Sequence, residues 1–223
     1  MIIYHGSKDI IEVPEFGKGN RRNDYGLGFY CTGNIELAKE WACPDNETNG
    51  YANKYEIDPG EYKVLDLRDD KYSILNWIAL LLKFRTFDTN TPLSVQAKEY
   101  ILENFYIDVE EYDIIIGYRA DDSYFSFAKD FINNGITVEQ LGEAMRLGEL
   151  GIQIVLKSER AFAGVKYLGY EAAECKEYYT KRVSRDKKAR EAYLGGNRHN
   201  PGADGIFVMD IIRGRIKNGD KSI

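Results

Sequence analysis

Three short segments hold residue types that could grip a flat, charged ligand. Tyr4-His5-Gly6-Ser7 lies near the N-terminus, Gly26-Leu27-Gly28-Phe29-Tyr30 follows a glycine-rich loop, and Trp41 comes eleven residues after Tyr30. Tyr30 and Trp41 suit a clamp on a flat cationic ring. Gly6 lets the backbone approach a ligand because no Cβ intrudes. The His5 imidazole and the Ser7 hydroxyl can bond hydroxyl groups, and Arg21 or Arg22 in the adjoining loop suits phosphate oxygens. Taken singly, each feature has a plainer explanation: a structural histidine, a turn glycine, a core tryptophan. The Gly-x-Gly is not the Gly-x-Gly-x-x-Gly loop that opens a dinucleotide-binding helix. Order and spacing together carry the reading.

Strands and one short helix must position these groups. Ile2 to His5 reads as a strand, and Gly28 to Thr32 as a second one entered from the Phe16–Gly28 loop. Ile35 to Cys43 reads as a helix capped by Asn34, with Glu36 and Glu40 on its polar face. Lys54 to Ile57 and Tyr62 to Leu67 are strands around the Asp58-Pro59-Gly60 turn. Further on, Ser73 to Phe84 is a buried helix begun by Asp70 or Ser73, and Ser94 to Phe105 an amphipathic one with Val95, Ala97, Tyr100, Ile101 and Phe105 near one stripe. Asp113 to Gly117, Gln153 to Lys157 and Val165 to Tyr170 read as strands, and Tyr124 to Asn133 and Val138 to Leu147 as helices.

Composition narrows the classes. With 223 residues and 43% hydrophobic content, the chain can bury a core without disulfides or a structural metal. Cys31, Cys43 and Cys175 have no metal-like spacing and only two histidines occur, so no metal site is expected. Free thiols suit a reducing cytosol, and a cytoplasmic chain without membrane contact is expected. The N-terminus has no basic n-region or long apolar run, so no signal peptide is expected. The apolar run Ile78 to Leu82 is far short of a membrane span. Net charge is −6, yet the stretch from Lys176 to Arg198 is locally +5. That stretch is either a solvated helix face or a contact for nucleic acid, an acidic partner or a phosphate.

The ordered motifs His5-Gly6-Ser7, Gly26 to Tyr30 and Trp41 resemble the ADP-ribosyltransferase superfamily, in its histidine-tyrosine branch of diphtheria-toxin and poly(ADP-ribose)-polymerase type. Gln153-Ile154-Val155-Leu156 followed by Glu159-Arg160-Ala161-Phe162 resembles that branch's late strand. Nearly the full chain is also similar to a bacterial family of uncharacterised ART-like proteins, DUF3990, through Arg22-Asn23-Asp24-Tyr25, Leu75-Asn76-Trp77 and Tyr118-Arg119-Ala120-Asp121-Asp122. The resemblance implies NAD as substrate and mono-ADP-ribosyl transfer to a protein or nucleic-acid acceptor. It also implies a toxin or defence role with a cognate antitoxin or inhibitor protein. On this reading His5, Tyr30 and Gln153 are catalytic, and Tyr4, Gly6, Ser7, Arg22, Gly28, Phe29, Trp41, Asp121 and Asp122 bind NAD.

One group departs from the superfamily pattern. Cleaving the glycosidic bond of NAD passes through an oxocarbenium-like ribose, which the superfamily steadies with a late-strand glutamate. Here that position falls on Ile152 or Gln153, and strand alternation lets only one face the site. Gln153 is favoured, because a buried amide needs a partner and a ribose hydroxyl supplies one. The alternative is that Gln153 bonds a neighbouring loop. Asp121 and Asp122 are candidate replacement acids, or else caps of the helix that follows. An amide orients a hydroxyl but carries no charge, so a non-catalytic NAD or ADP-ribose-binding module and an NAD glycohydrolase are the alternatives. The expected fold is α+β and one domain: a split antiparallel sheet from about residues 1–70 and 112–170, helical segments about 73–105 and 124–147, and a basic C-terminal helix about 171–194. An enzyme or reader predicts Tyr30 and Trp41 lining one pocket with His5.

Overall fold

A computed structural model describes residues 1–120, 122–144, 151–199 and 205–220. Seven strands form one sheet in the order β4-β5-β6-β2-β1-β3-β7, with β1 Ile2–Ser7, β2 Phe29–Thr32, β3 Gly50–Glu56, β4 Val64–Asp66, β5 Ile114–Tyr118, β6 Ile152–Leu156 and β7 Lys166–Ala173. The fold is α+β, as expected. The sheet is mixed rather than wholly antiparallel, because β4 runs parallel to β5 after a helical crossover.

The sheet narrows at one seam. The ladder of β1 on β3 runs from Ile2↔Glu56 to Ser7↔Tyr51, and that of β2 on β6 from Phe29↔Leu156 to Thr32↔Gln153. Between β1 and β2, Tyr4↔Thr32 is the one pair in register among the described residues. One half of the sheet (β4, β5, β6, β2) thus meets the other (β1, β3, β7) at a single ladder position.

Alternation sends side chains to two cores. Ile3, Phe29, Cys31, Ile114, Ile154 and Leu156 join Tyr55 and Phe162 on one face. Leu65, Ile115 and Val155 face the other way and pack under helices, with Trp77, Ile78 and Leu81 among their companions. Those helices include α2 (Ile74–Phe84), α3 (Pro92–Phe105), α4 (Asp122–Ile132) and α5 (Val138–Ala144). The cap of α2 is Ser73, whose hydroxyl accepts from Leu75 N, while Asn76 accepts from Ser73 N in return. In α3, Ala97, Ile101 and Phe105 are buried as expected, but Val95 is 39% exposed and leaves the stripe.

Helix α1 (Ile35–Ala42) lies tight on β1 and β3, its N-cap Asn34 accepting from Glu36 N and Leu37 N. A Cβ on Gly6 would stand 2.0 Å from Ala38 O, and one on Gly50 2.4 Å from Ala42 O. These glycines admit the helix backbone, which accounts for Gly6 by packing alone. The short helix α6 (Glu159–Ala163) follows β6.

The long helix α7 (Cys175–His199) packs on α1, and α8 (Val208–Gly214) is a further short helix near the end of the described residues. Arg185 forks onto Glu40 at 2.7 and 3.0 Å, and Lys181 pairs with Glu177 and Glu36 at 2.6 and 3.5 Å. Part of the basic excess of α7 is therefore matched within the fold. No helix among the described residues is long and apolar enough to cross a membrane.

Candidate functional site

The seam leads to a cleft of about 340 Å³ lined by Asn23, Asp24, Tyr30, Trp41, Arg85, Arg119, Ala120 and Gln153. Tyr30 comes from β2, Trp41 from α1, Gln153 from β6 and Arg85 from the end of α2, with Arg119 and Ala120 just past β5. Larger cavities lie elsewhere, of about 640 Å³ along α7 and about 880 Å³ beside residues 67–74. The small one is singled out by its polar atoms. Among the described residues, two buried side-chain polar atoms lack a hydrogen-bond partner, Trp41 Nε1 and Gln153 Oε1, and both residues line this cleft. An unmet buried polar group costs about 1–3 kcal/mol, and both of these belong to residues that line this one cleft.

Strand register decides the Ile152–Gln153 question. Gln153 pairs with Thr32 and Gly117, shares the Tyr30 and Val155 face, and lines the cleft; Ile152 does not. Its side chain and the carboxylate of Asp24 belong to the same lining.

Asp24 is the group the sequence reading passed over. It is 3% exposed, accepting from Ala120 N at 2.9 Å and from Arg85 at 3.1 Å. Burial pushes its carboxyl above the ordinary carboxylate range, opposed by the Ala120 N–H, the Arg85 and Arg119 charges and the nearby Gln153 amide. The signal available in sequence was the Arg-Asn-Asp-Tyr segment, but its partner Arg85 is 61 residues away.

The loop before β2 is fastened from three sides. Tyr30 Oη accepts from Tyr25 N at 3.0 Å and donates to Gly26 O at 2.7 Å. Lys157, with a 5% exposed side chain, donates to Tyr25 O at 3.0 Å and Leu27 O at 2.8 Å. Tyr25 is buried, donating to Tyr118 O at 2.6 Å beside Trp77 Nε1. Burial holds the Tyr30 hydroxyl far above its ordinary range and the Lys157 ammonium below its own. The Tyr30 hydroxyl is thus a fixture of the loop, and its ring is what the cleft receives.

Several expected neighbours are elsewhere. His5 does not line the cleft: it stacks on Phe29 (centroids 4.3 Å apart), on the face opposite Tyr30 and α1. Residues alternating along β1 and β2 cannot all share one face, which overturns the expectation that His5, Tyr30 and Trp41 line one pocket. Its Nδ1 bonds the Tyr30 carbonyl at 2.7 Å, which makes Nδ1 the protonated nitrogen. Phe29 is buried in the His5-side core. Tyr4 is half-buried on the α1 side of β1, and the Ser7 hydroxyl accepts from Asp9 N.

Gly28 lies against β6, where a Cβ would meet Val155 at 2.6 Å. Arg22 is exposed, its backbone N–H bonded to Asn20, while Arg21 lines a separate cavity with Phe84 and Lys157. Asp121 and the side chain of Asp122 lie outside the described residues. The expected clamp also differs in detail. The cation stacked on Trp41 is the Arg119 guanidinium, 4.6 Å from the ring centre.

No curated protein and no solved structure matches the chain. The resemblance expected over nearly the full length is found over residues 1–167, leaving α7 and α8 outside it. Over those residues the chain matches the family described as "Protein of unknown function (DUF3990)", and it belongs to that family.

Proposed function

We propose that the chain is an NAD-dependent mono-ADP-ribosyltransferase whose ligand sits in the cleft of Tyr30, Trp41 and Gln153. The observation that carries this reading is the pair of unmet atoms, an acceptor on Gln153 and a donor on Trp41. A ribose hydroxyl donates and accepts at once, so one sugar answers both. Arg85 and Arg119 beside them suit the pyrophosphate. The order of the His5-Gly6-Ser7, Gly26–Tyr30 and Trp41 motifs points to the same ligand.

In this reading the Tyr30 ring forms a wall for the nicotinamide, and Gln153 orients the ribose as the bond to nicotinamide breaks. A neutral amide gives the oxocarbenium less help than a carboxylate, so turnover is slow and transfer is single. The acceptor is a protein side chain or a nucleic acid. The toxin or defence role, with an inhibitor protein as partner, belongs to the same proposal.

A second reading, a non-catalytic NAD or ADP-ribose binder, is favoured by the state of Asp24. This carboxylate in the cleft wall is already bonded to Arg85 and Ala120 N–H. Incubation with NAD, followed by NMR, separates the readings. Released nicotinamide supports cleavage, and free ADP-ribose without an acceptor marks a glycohydrolase. Binding without release, with candidate acceptors present, supports the binder, and no binding overturns both.

A further inference from the structure

We infer that Arg185 of α7 is a positioning residue for the cleft: by forking onto Glu40 it sets where α1 carries Trp41. The inference rests on the NAD reading for its ligand and on contacts within the chain for its mechanism. Glu40 and Trp41 are neighbours on α1, about 100° apart around the helix, so a hold on one side places the other. Glu40 is 3% exposed, and the fork from Arg185, at 2.7 and 3.0 Å, resists both sliding and turning of α1. Glu36, one turn earlier on the same face, accepts from the Tyr178 hydroxyl at 3.1 Å. The sheet side of α1 has no slack either, because helix backbone fills the space above Gly6 and Gly50.

Trp41 cannot anchor itself by a hydrogen bond, since its Nε1 is unmet. Its ring reaches the Arg119 guanidinium, 4.6 Å away and past the end of β5, where α1 holds it. The helix that supplies the fork lies outside residues 1–167, the stretch that matches the family. The cleft thus draws part of its geometry from chain beyond that stretch.

The test uses the isotope-labelled full chain as wild type, R185K and the double variant E40M/R185M. Arg185→Lys keeps the charge on Glu40 but loses the fork. The double variant removes both charges and leaves apolar side chains in their place, an exchange commonly neutral for stability. Without ligand, the wild type should show NOEs between the Trp41 ring and the Arg119 side chain. Both variants should weaken these and keep the NOEs between Trp77 and Tyr118, while E40M/R185M unfolds in urea as the wild type does. NAD affinity should fall roughly fivefold in both, the scale of one hydrogen-bond partner displaced.

Trp41–Arg119 NOEs of wild-type strength in both variants overturn the inference and leave the pair merely structural. Wild-type NAD affinity in variants that lose the NOEs overturns it too. Variants that lose the NOEs, with a wild type that binds no NAD, uphold the positioning and overturn the NAD reading alone. Should the double variant fail to fold, R185K decides.

Discussion

The Nδ1–H of His5 donates to the carbonyl of Tyr30 at 2.7 Å and so bridges β1 and β2 where they share no further ladder pair among the described residues. A side chain does here what backbone pairing does elsewhere in the sheet. His5→Ala leaves the Tyr30 carbonyl unmet and a gap on Phe29, and the expected loss in urea-denaturation stability is about 1–3 kcal/mol.

Burial of the same imidazole predicts a pH dependence. Burial holds the His5 pKa below its ordinary 6.5, so the native imidazole stays neutral where the unfolded one takes a proton. Its contribution is present above pH 6.5 and is lost as pH falls below that value toward the depressed native one. The stability gap between wild type and H5A, measured against pH, should shrink on that side and hold constant on the other.

Trp41→Phe keeps the ring under Arg119 and removes the unmet Nε1. Unliganded stability should be unchanged or higher by up to about 1 kcal/mol, while NAD affinity falls roughly fivefold. Loss of stability with affinity intact would mean that Nε1 serves the fold and not a ligand.

Gly6→Ala drives a methyl into the Ala38 carbonyl of α1 and should cost about 1–3 kcal/mol, read by the same denaturation. Gly33→Ala is the control: its Cβ meets nothing within 4 Å, and a change within about 0.5 kcal/mol is expected. Equal effects would show that α1 does not rest on Gly6.

Gln153→Glu places a second carboxyl beside Asp24, and like charge raises the pair's affinity for a proton. Nicotinamide release by Q153E should therefore rise with pH through the neutral range. In D24N/Q153E the charge is unshared, and release at pH 7 should exceed that of Q153E by roughly tenfold, the scale of one electrostatic contact in a transition state. Identical rates in wild type and both variants would place the chemistry elsewhere.

Local structure was legible in the sequence where it is locally determined. Asn34 and Ser73 are caps, and alternation in Ile114–Tyr118 and Ile152–Leu156 marks strands between two cores. Tyr30, Trp41 and Gln153 were legible as a group because motif order brings them together. The face taken by His5 was hidden, because period two separates faces along one strand but does not say which face a distant strand shares. Asp24 was hidden for a related reason: it joins Arg85 and Ala120, contacts across the chain that leave no periodicity. Arg119 was quoted only as part of a segment, and its stacking on Trp41 depends on where β5 ends.

The most direct test uses the chain's two tryptophans. The Trp77 indole N–H is bonded to Tyr118 O at 3.1 Å, whereas that of Trp41 is unmet. Titrating NAD while following both indole N–H resonances should move Trp41 downfield and leave Trp77 in place, with free nicotinamide appearing in the same tube. Neither a Trp41 shift nor nicotinamide at millimolar NAD would contradict the assignment of this cleft to NAD.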